Sequence, residues 1–190
     1  MINERIVLAS QSPRRKELMS LIASDVIIRP ADCDETLPEG ISPREAVEYL
    51  SKIKNDASRE VSQSNEIVIS ADTVVAVDDI ILGKPIDNED GRYMIYLLQG
   101  RVHSVYTGVT VSNGDKIITF SEKTDVEFTP MTAEEIEEYI SGSEPYDKAG
   151  SYAVQGKACV YIKGINGDYF NVVGLPVSRL YNELVKLANN

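Results

Sequence analysis

The chain of 190 residues carries 30 acidic and 19 basic side chains, which gives a formal net charge of −11. So acidic a protein is a poor match for duplex nucleic acid, whose phosphates are bound by basic surfaces. There is no run of about 18 apolar residues and no signal-peptide pattern, so we expect a cytoplasmic protein without a membrane partner. No Gly/Ser-rich or Pro-rich linker divides the chain, and we predict a single domain over residues 1–190.

Cysteine and histidine limit the kind of metal site that the chain can build. Cys33 and Cys159 fit neither a disulfide framework nor a zinc site, so we expect free thiols. His103 is the sole histidine. It alternates with apolar neighbours as a strand residue does, which favours a structural role over a catalytic one. Any metal should therefore be a hard cation held by oxygen ligands.

The first predicted helix has the features of an anion site. Ser12 is a natural N-cap and Pro13 a natural first helical residue, which predicts a helix over 13–23. Arg14 and Arg15 lie in its first turn, where free N–H groups and the helix dipole already favour negative charge. They are either solvated surface residues or ligands for a phosphate. The apolar face of this helix is predicted to contain Leu18, Leu21 and Ile22.

The next segments alternate strands with helices. A second helix is predicted to begin at the capping box Ser42-Pro43-Arg44-Glu45. Up to residue 100, the predicted elements are a strand at 6–9, the helix at 13–23, a strand at 25–29, an acidic loop at 30–41, a helix at about 43–61, a strand at 66–71, a short pair at 74–77 and 80–82 joined by Asp78-Asp79, and a helix at about 89–98 closed by Gly100.

Hairpins dominate the second half of the chain. Asn-Gly pairs predict two of them, 102–112 with 116–128 and 158–165 with 168–173. Thr132 and Glu135 form a capping box for a helix at 133–141, and a last helix is predicted at about 176–188. Because helices alternate with strands early and hairpins follow, we predict a mixed α/β sheet flanked by helices.

Candidate chemistry lies at predicted strand ends and in loops. Asp72 ends an apolar strand. Its carboxylate either faces a ligand at the edge of the sheet or stabilises a turn. Lys84 follows the next short strand, and Lys54 borders the apolar face of the second helix. Glu35 belongs to an acidic loop that either binds a divalent cation or is solvated. With the polar, glycine-containing segment 145–156, these groups suit metal-assisted phosphoanhydride hydrolysis, although P-loop and dinucleotide-binding motifs are missing.

Several ordered motifs run along the chain. They are Leu-Ala-Ser-x-Ser-Pro-Arg-Arg-x-Glu-Leu at 8–18, Ser-Ala-Asp-Thr-Val-Val at 70–75, Gly-Lys-Pro at 83–85, Asp-Lys-Ala-Gly-x-Tyr-x-x-Gln-Gly at 147–156 and Asn-Gly-x-x-x-x-Val-Val-Gly-Leu-Pro at 166–176. Together they resemble the Maf family of nucleoside triphosphate pyrophosphatases, and the resemblance covers essentially the whole chain.

The resemblance implies an inosine-triphosphatase-like fold, often dimeric, with its active site in a cleft between two lobes. It also implies Mg²⁺- or Mn²⁺-dependent cleavage between the α and β phosphates, which releases a nucleoside monophosphate and pyrophosphate. By motif, Asp72 would be the catalytic proton acceptor, and Glu35 and Asp72 the acidic groups at the metal. The groups that would bind the substrate are Ser10, Ser12, Arg15, Lys54, Lys84 and Lys148.

Three positions separate the branches of the family. Arg14, Thr73 and Gln155 match the branch that resembles dTTP/UTP pyrophosphatase, and the branch that prefers 7-methyl-GTP differs at all three. One departure follows Lys54, where family members usually have alanine and this chain has Asn55. The alternative function is a nucleotide-sensing regulator of cell division that binds triphosphates without turnover, since the family is linked by name to septum formation.

Overall fold

The structure is a computed structural model that describes residues 4–30 and 32–188. Its strands are β1 (Ile6–Leu8), β2 (Val26–Ile28), β3 (Ile67–Val77), β4 (Ile80–Leu82), β5 (Val102–Asn113), β6 (Lys116–Phe128) and β7 (Ile162–Asn166). Its α-helices are α1 (Pro13–Met19), α2 (Pro43–Glu60), α3 (Asn88–Leu98), α4 (Ala133–Ile140), α5 (Tyr169–Val173) and α6 (Val177–Ala188). Short 3-10 helices cover Glu144–Asp147, Ala149–Ser151 and Lys157–Tyr161. None of the described helices is both long and apolar enough to cross a membrane.

All the strands belong to one mixed sheet. The order is β2-β1-β3-β5-β6-β7, and β4 pairs with β3. β1 is parallel to β2 and β3, and the other pairings are antiparallel. The predicted mixed α/β sheet flanked by helices is therefore confirmed.

β3 changes partners along one of its edges. Ile67–Ile69 pair with β1 and Val75–Val77 pair with β4. Between them, residues 70–74 have no strand partner on that edge within the described part of the chain. The prediction that the strand ends at residue 71 is wrong, because β5 pairs with β3 continuously from Ile67 to Ala76. Asp72 therefore lies in the middle of a long strand, at the open part of its edge.

Two hydrophobic clusters divide the molecule at this opening. One contains Ile69 and Ala71 of β3 and packs against α1 and α6. The other begins at Val75 and packs against α3 and α4. The long central strands β3, β5 and β6 are shared by both clusters. These two clusters form the two lobes, and the open part of β3 lies between them.

Helix α2 lies close against one face of the sheet. A Cβ added to Gly108 of β5 would stand 2.2 Å from the carbonyl oxygen of Val47, so only glycine fits beneath the helix. The fully buried Asn55 donates its amide to the carbonyls of Val68 (3.0 Å) and Thr110 (3.1 Å). These contacts fix the part of α2 that carries Lys54 over β3.

Most of the local signals gave correct elements. The Ser12 cap, both capping boxes and the hairpin at Asn113-Gly114 are present, and the two cysteines are free. Helix α1 is shorter than predicted, because it ends at Met19, and Leu21 is 57% exposed instead of joining the core. At the end of α3, Gln99 is the cap, and Gly100 follows it with a φ of 65°.

The predicted second hairpin is wrong. Residues 168–173 form no strand, because the side chain of Asp168 caps helix α5 by accepting from the N–H of Phe170 at 2.8 Å. Residues 157–161 form a 3-10 helix, and β7 pairs with β6 instead. The Asn166-Gly167 pair thus leads from a strand into a helix.

Candidate active site

The open part of β3 presents Asp72 to helix α2. The ammonium Nζ of Lys54 lies 2.5 Å from Oδ1 of Asp72 and 2.8 Å from Oε2 of Glu35. The side chains of Lys54 and Asp72 are each 14% exposed, and that of Glu35 is 53% exposed. Burial favours the neutral amine, but the two carboxylates outweigh it and raise the pKa of Lys54. Lys54 is therefore a charged link between the acidic loop and β3.

Arg15 approaches the same part of β3 from the start of α1. Its Nε donates to the carbonyl of Gly174 at 2.8 Å, its Nη2 to Oγ1 of Thr73 at 2.9 Å and its Nη1 to Oγ of Ser10 at 3.3 Å. Burial lowers the pKa of Arg15, although a guanidinium remains charged at neutral pH. Since all three acceptors are neutral, these bonds orient the guanidinium without neutralising it. Ser12 accepts from the N–H of Arg15 and so caps the helix beneath it.

Thr73 connects Arg15 to the middle of the sheet. Its Oγ1 lies 2.9 Å from Oγ1 of Thr107, which donates to the carbonyl of Asn171 at 3.0 Å. The buried Asn171 in turn donates to the carbonyl of Val105 at 3.1 Å. Sequence reasoning missed Thr107 and Asn171. The motif at 166–176 was the available signal for Asn171, but the contact of this motif with Arg15 depends on tertiary packing.

Lys148 pairs with Asp147, and the charge of Arg14 also acts on this carboxylate. Lys148 is 14% exposed and contacts the carboxylate of Asp147. Burial opposes ionisation of Asp147, but the nearby charges of Lys148 and Arg14 lower its pKa.

Two predicted site residues are exposed and have no direct contact with the rest of the group. Lys84 and Gln155 make no hydrogen bond or ion pair within the described residues. Lys84 follows β4, where the carbonyl of Gly83 accepts from the N–H of Gly150 at 2.9 Å. Gln155 follows Val154, which packs on the first lobe, whereas Tyr152 belongs to the second. The segment 152–155 thus runs from one lobe to the other.

Glu144, which the sequence did not single out, anchors the far end of this segment. Its carboxylate accepts from the N–H of Lys157 at 2.7 Å and from the hydroxyl of Tyr139 at 2.9 Å. A Cβ on Gly156 would lie 2.2 Å from a Glu144 oxygen, so a larger residue there would have to displace this carboxylate.

His103 lies in the second lobe, in the structural role that its strand pattern predicts. Its Nε2 is 2.8 Å from the hydroxyl of Tyr152, and its ring meets those of Phe128 and Tyr152 edge-on. Burial lowers the pKa of His103 to about 4, although the carboxylate of Asp125 acts in the opposite direction. The neutral imidazole supports the segment that follows Lys148.

The acidic groups fit a hard divalent cation. Oxygens of Glu35 and Asp72 converge on one ammonium group, which shows that both can face a single cation. Among the described residues there is no group of three or more His, Cys, Asp or Glu side chains that could enclose a metal ion. Mg²⁺ is commonly held by one or two carboxylates together with substrate phosphates. Two carboxylates at an open strand edge match such a substrate-completed site.

Comparison with known proteins settles the family. Residues 5–187 match the family described as Maf-like protein. The chain belongs to the Maf family. A relative from Agathobacter rectalis, named dTTP/UTP pyrophosphatase, is 48% identical over an alignment 201 residues long, and the alignment includes 97% of this Maf chain and 98% of the relative. A protein of the same name from Bacillus cereus strain G9842 is 44% identical over 181 residues, which cover 95% and 94% of the two chains.

The fold of this Maf chain is similar to that of the Staphylococcus aureus Ham1 protein. The two structures align with a TM-score of 0.54 over 96% of this chain and 99% of the other. Their sequences are 14% identical, so the likeness concerns the fold alone.

Proposed function

We propose that this Maf protein is a nucleoside triphosphate pyrophosphatase that cleaves dTTP and UTP between the α and β phosphates. The observation that carries the proposal is the grouping of Asp72, Glu35 and Lys54 at the open edge of β3, with Arg15 at the same edge. The full-length relatives named dTTP/UTP pyrophosphatase support the same activity.

The triphosphate would bind along the cations that border the opening. Arg15 is held by neutral acceptors, so its charge is available to phosphate oxygens, and charge-assisted bonds from arginine to phosphate are strong. Lys84 is exposed and free to move toward the ligand. Lys148 would exchange part of its contact with Asp147 for phosphate. Ser10 and Ser12 would line the same loop.

Asp72 would act as the general base. Its carboxylate would accept a proton from a water molecule and orient that water for attack on the α-phosphorus. Glu35 and Asp72 would hold Mg²⁺ or Mn²⁺, which when bound withdraws charge from the phosphate oxygens. Lys54, next to both carboxylates, would stabilise the charge that develops on the phosphates. The products would be a nucleoside monophosphate and pyrophosphate.

Base selection would rest on Gln155, Thr73 and Arg14. An exposed amide that both donates and accepts suits the carbonyl and N3–H edge shared by uracil and thymine. The hydroxyl of Thr73 is occupied by Arg15 and Thr107, so Thr73 would shape the pocket indirectly, by holding Arg15. Arg14 would contribute positive charge beside Asp147.

We further infer, from the resemblance and the composition, a cytoplasmic homodimer without nucleic-acid or membrane partners, folded as one domain. These properties are independent of the chemistry at β3.

The direct test of the proposed function is a panel of nucleotides incubated with the protein and Mg²⁺ or Mn²⁺. Pyrophosphate and orthophosphate are assayed separately. We expect UTP and dTTP to give monophosphate and pyrophosphate. Tight nucleotide binding without turnover would contradict the enzyme and favour the sensing regulator, and orthophosphate as the first product would contradict cleavage between the α and β phosphates.

A further inference from the structure

We propose that Lys54 is a built-in counter-ion that holds Glu35 and Asp72 in the nucleotide-free protein and must leave at least one of them before a divalent cation binds. The proposal rests on the carboxylate pair of the proposed function. It concerns the affinity of the free protein for the cation, which can be measured without any turnover.

The geometry places the ammonium where a cation would be coordinated. Nζ of Lys54 is within hydrogen-bond distance of both carboxylates, at 2.5 Å from Asp72 and 2.8 Å from Glu35. A divalent ion ligated by the same oxygens would approach this ammonium closely. Because the Lys54 and Asp72 side chains are largely shielded from water, repulsion between the two cations is weakly screened. The two cations therefore compete for the carboxylate pair.

The surroundings indicate which contact opens first. Asp72 is fixed within β3, and the part of α2 that carries Lys54 is fixed by the hydrogen bonds of Asn55. Glu35 is 53% exposed on a loop. The contact between Lys54 and Glu35 is thus the easier one to break.

A triphosphate gives Lys54 a replacement partner. The flexible four-carbon stem of lysine allows the ammonium to turn from a carboxylate to a phosphate oxygen without movement of the helix. Release of Lys54 and binding of the cation are then favoured by the same ligand. We therefore infer that the divalent ion binds weakly to the free protein and enters with the nucleotide.

The test is Mn²⁺ binding without nucleotide, measured by titration calorimetry or by the paramagnetic resonance signal of free Mn²⁺. Lys54→Met removes the competing charge and keeps an unbranched side chain. We expect this variant to bind Mn²⁺ at least about tenfold more tightly than the wild type, since a unit charge beside the ligands is removed. Lys54→Arg retains the charge and should bind no more tightly than the wild type.

Lys52→Met is the matched control. Lys52 lies on the same helix and pairs with Asp56 in an exposed contact at 2.5 Å. This variant therefore changes the net charge of the protein equally but removes a side chain that pairs with neither Glu35 nor Asp72. We expect it to bind Mn²⁺ as the wild type does. Adding Glu35→Gln to Lys54→Met should abolish the gain. Urea unfolding of every variant verifies that each is folded.

Unchanged or weaker Mn²⁺ binding by folded Lys54→Met would overturn the proposal, and so would an equal gain in Lys52→Met. Failure of the proposed function has a different signature, namely a wild-type protein that does not turn over UTP or dTTP. If the wild type has no turnover and Lys54→Met still binds Mn²⁺ more tightly, the competition between Lys54 and the divalent cation stands and the proposed reaction does not.

Discussion

The guanidinium of Arg15 donates through Nε to the backbone carbonyl of Gly174 at 2.8 Å, across 159 positions of sequence. Through this bond and that to Thr73, one side chain joins the first helix, the turn before α6 and the middle of β3. A charged group that is oriented entirely by neutral acceptors is prepared to receive an anion.

Arg15→Lys should therefore impair substrate binding although the charge is kept. Lysine cannot make the three hydrogen bonds by which the guanidinium contacts Gly174, Thr73 and Ser10, so we expect KM for UTP to rise about tenfold. The orphaned carbonyl should also reduce the free energy of unfolding by about 1–3 kcal/mol. Steady-state kinetics and urea unfolding measure the two effects. Arg59→Lys, at an exposed contact with the carbonyl of Gly114, is the control and should leave KM unchanged. An unaltered KM in Arg15→Lys would show that Arg15 does not bind the triphosphate.

Gln155→Glu should weaken the use of pyrimidine nucleotides. The change removes an amide donor and brings a carboxylate toward the carbonyls of the base. We expect kcat/KM for UTP and dTTP to fall. The fall should correspond to a loss of roughly 1–3 kcal/mol of transition-state stabilisation, the cost of an unpaired polar group. The comparison is kcat/KM for UTP, dTTP and 7-methyl-GTP in both proteins. An equal loss on all three substrates would mean that Gln155 does not distinguish bases.

Local sequence signals predicted the helices well because the signals act locally. The caps at Ser12, Ser42 and Thr132 satisfy N–H groups three residues away, and such bonds form wherever the segment lies. The prediction of a hairpin at 166–167 was wrong for a related reason. An Asn-Gly pair specifies a turn but not the element that follows, and the side chain of Asp168 starts a helix there.

The candidate site required tertiary information. The sequence placed Asp72 at a strand end, because two polar residues interrupt the apolar run. In the structure β5 continues alongside and the strand does not end. The motifs located Asp72 and Arg15, and the apolar face of the second helix located Lys54. The bonds from Arg15 to Gly174 and from Lys54 to Glu35, however, join distant segments. No local pattern encodes such contacts.

Activity should require a divalent cation and should prefer Mg²⁺ or Mn²⁺ to Zn²⁺. The proposed ligands are carboxylates and phosphate oxygens, which suit hard cations, whereas zinc favours nitrogen and sulfur donors. Exhaustive EDTA treatment followed by addition of one metal at a time tests this expectation. Full activity in EDTA would contradict the role of Glu35 and Asp72 at a metal.

His103 should make the protein less stable at mildly acidic pH. Burial lowers its pKa to about 4 from 6.5. Below pH 6.5, His103 of the unfolded chain therefore binds a proton, whereas His103 of the folded protein stays neutral until the pH approaches 4. The free energy of unfolding should fall by about 2 kcal/mol between pH 7 and pH 5 from this group alone.

His103→Gln keeps a polar partner for Tyr152 but does not titrate. Urea unfolding of the wild type and the variant at both pH values isolates the contribution of the imidazole from that of the carboxylates, which are common to both. Equal pH dependence in the two proteins would refute the buried, neutral state of His103.

In the proposed reaction, Asp72 directs water to the α-phosphorus. The most direct measurement is turnover of UTP in water enriched in oxygen-18, with the label located by mass spectrometry, for the wild type and Asp72→Asn. We expect the label in UMP and none in pyrophosphate, and a folded Asp72→Asn variant whose kcat is lower by on the order of 10²–10⁴. Label in pyrophosphate would contradict attack at the α-phosphorus, and near-normal turnover by Asp72→Asn would contradict the role of Asp72 as the general base.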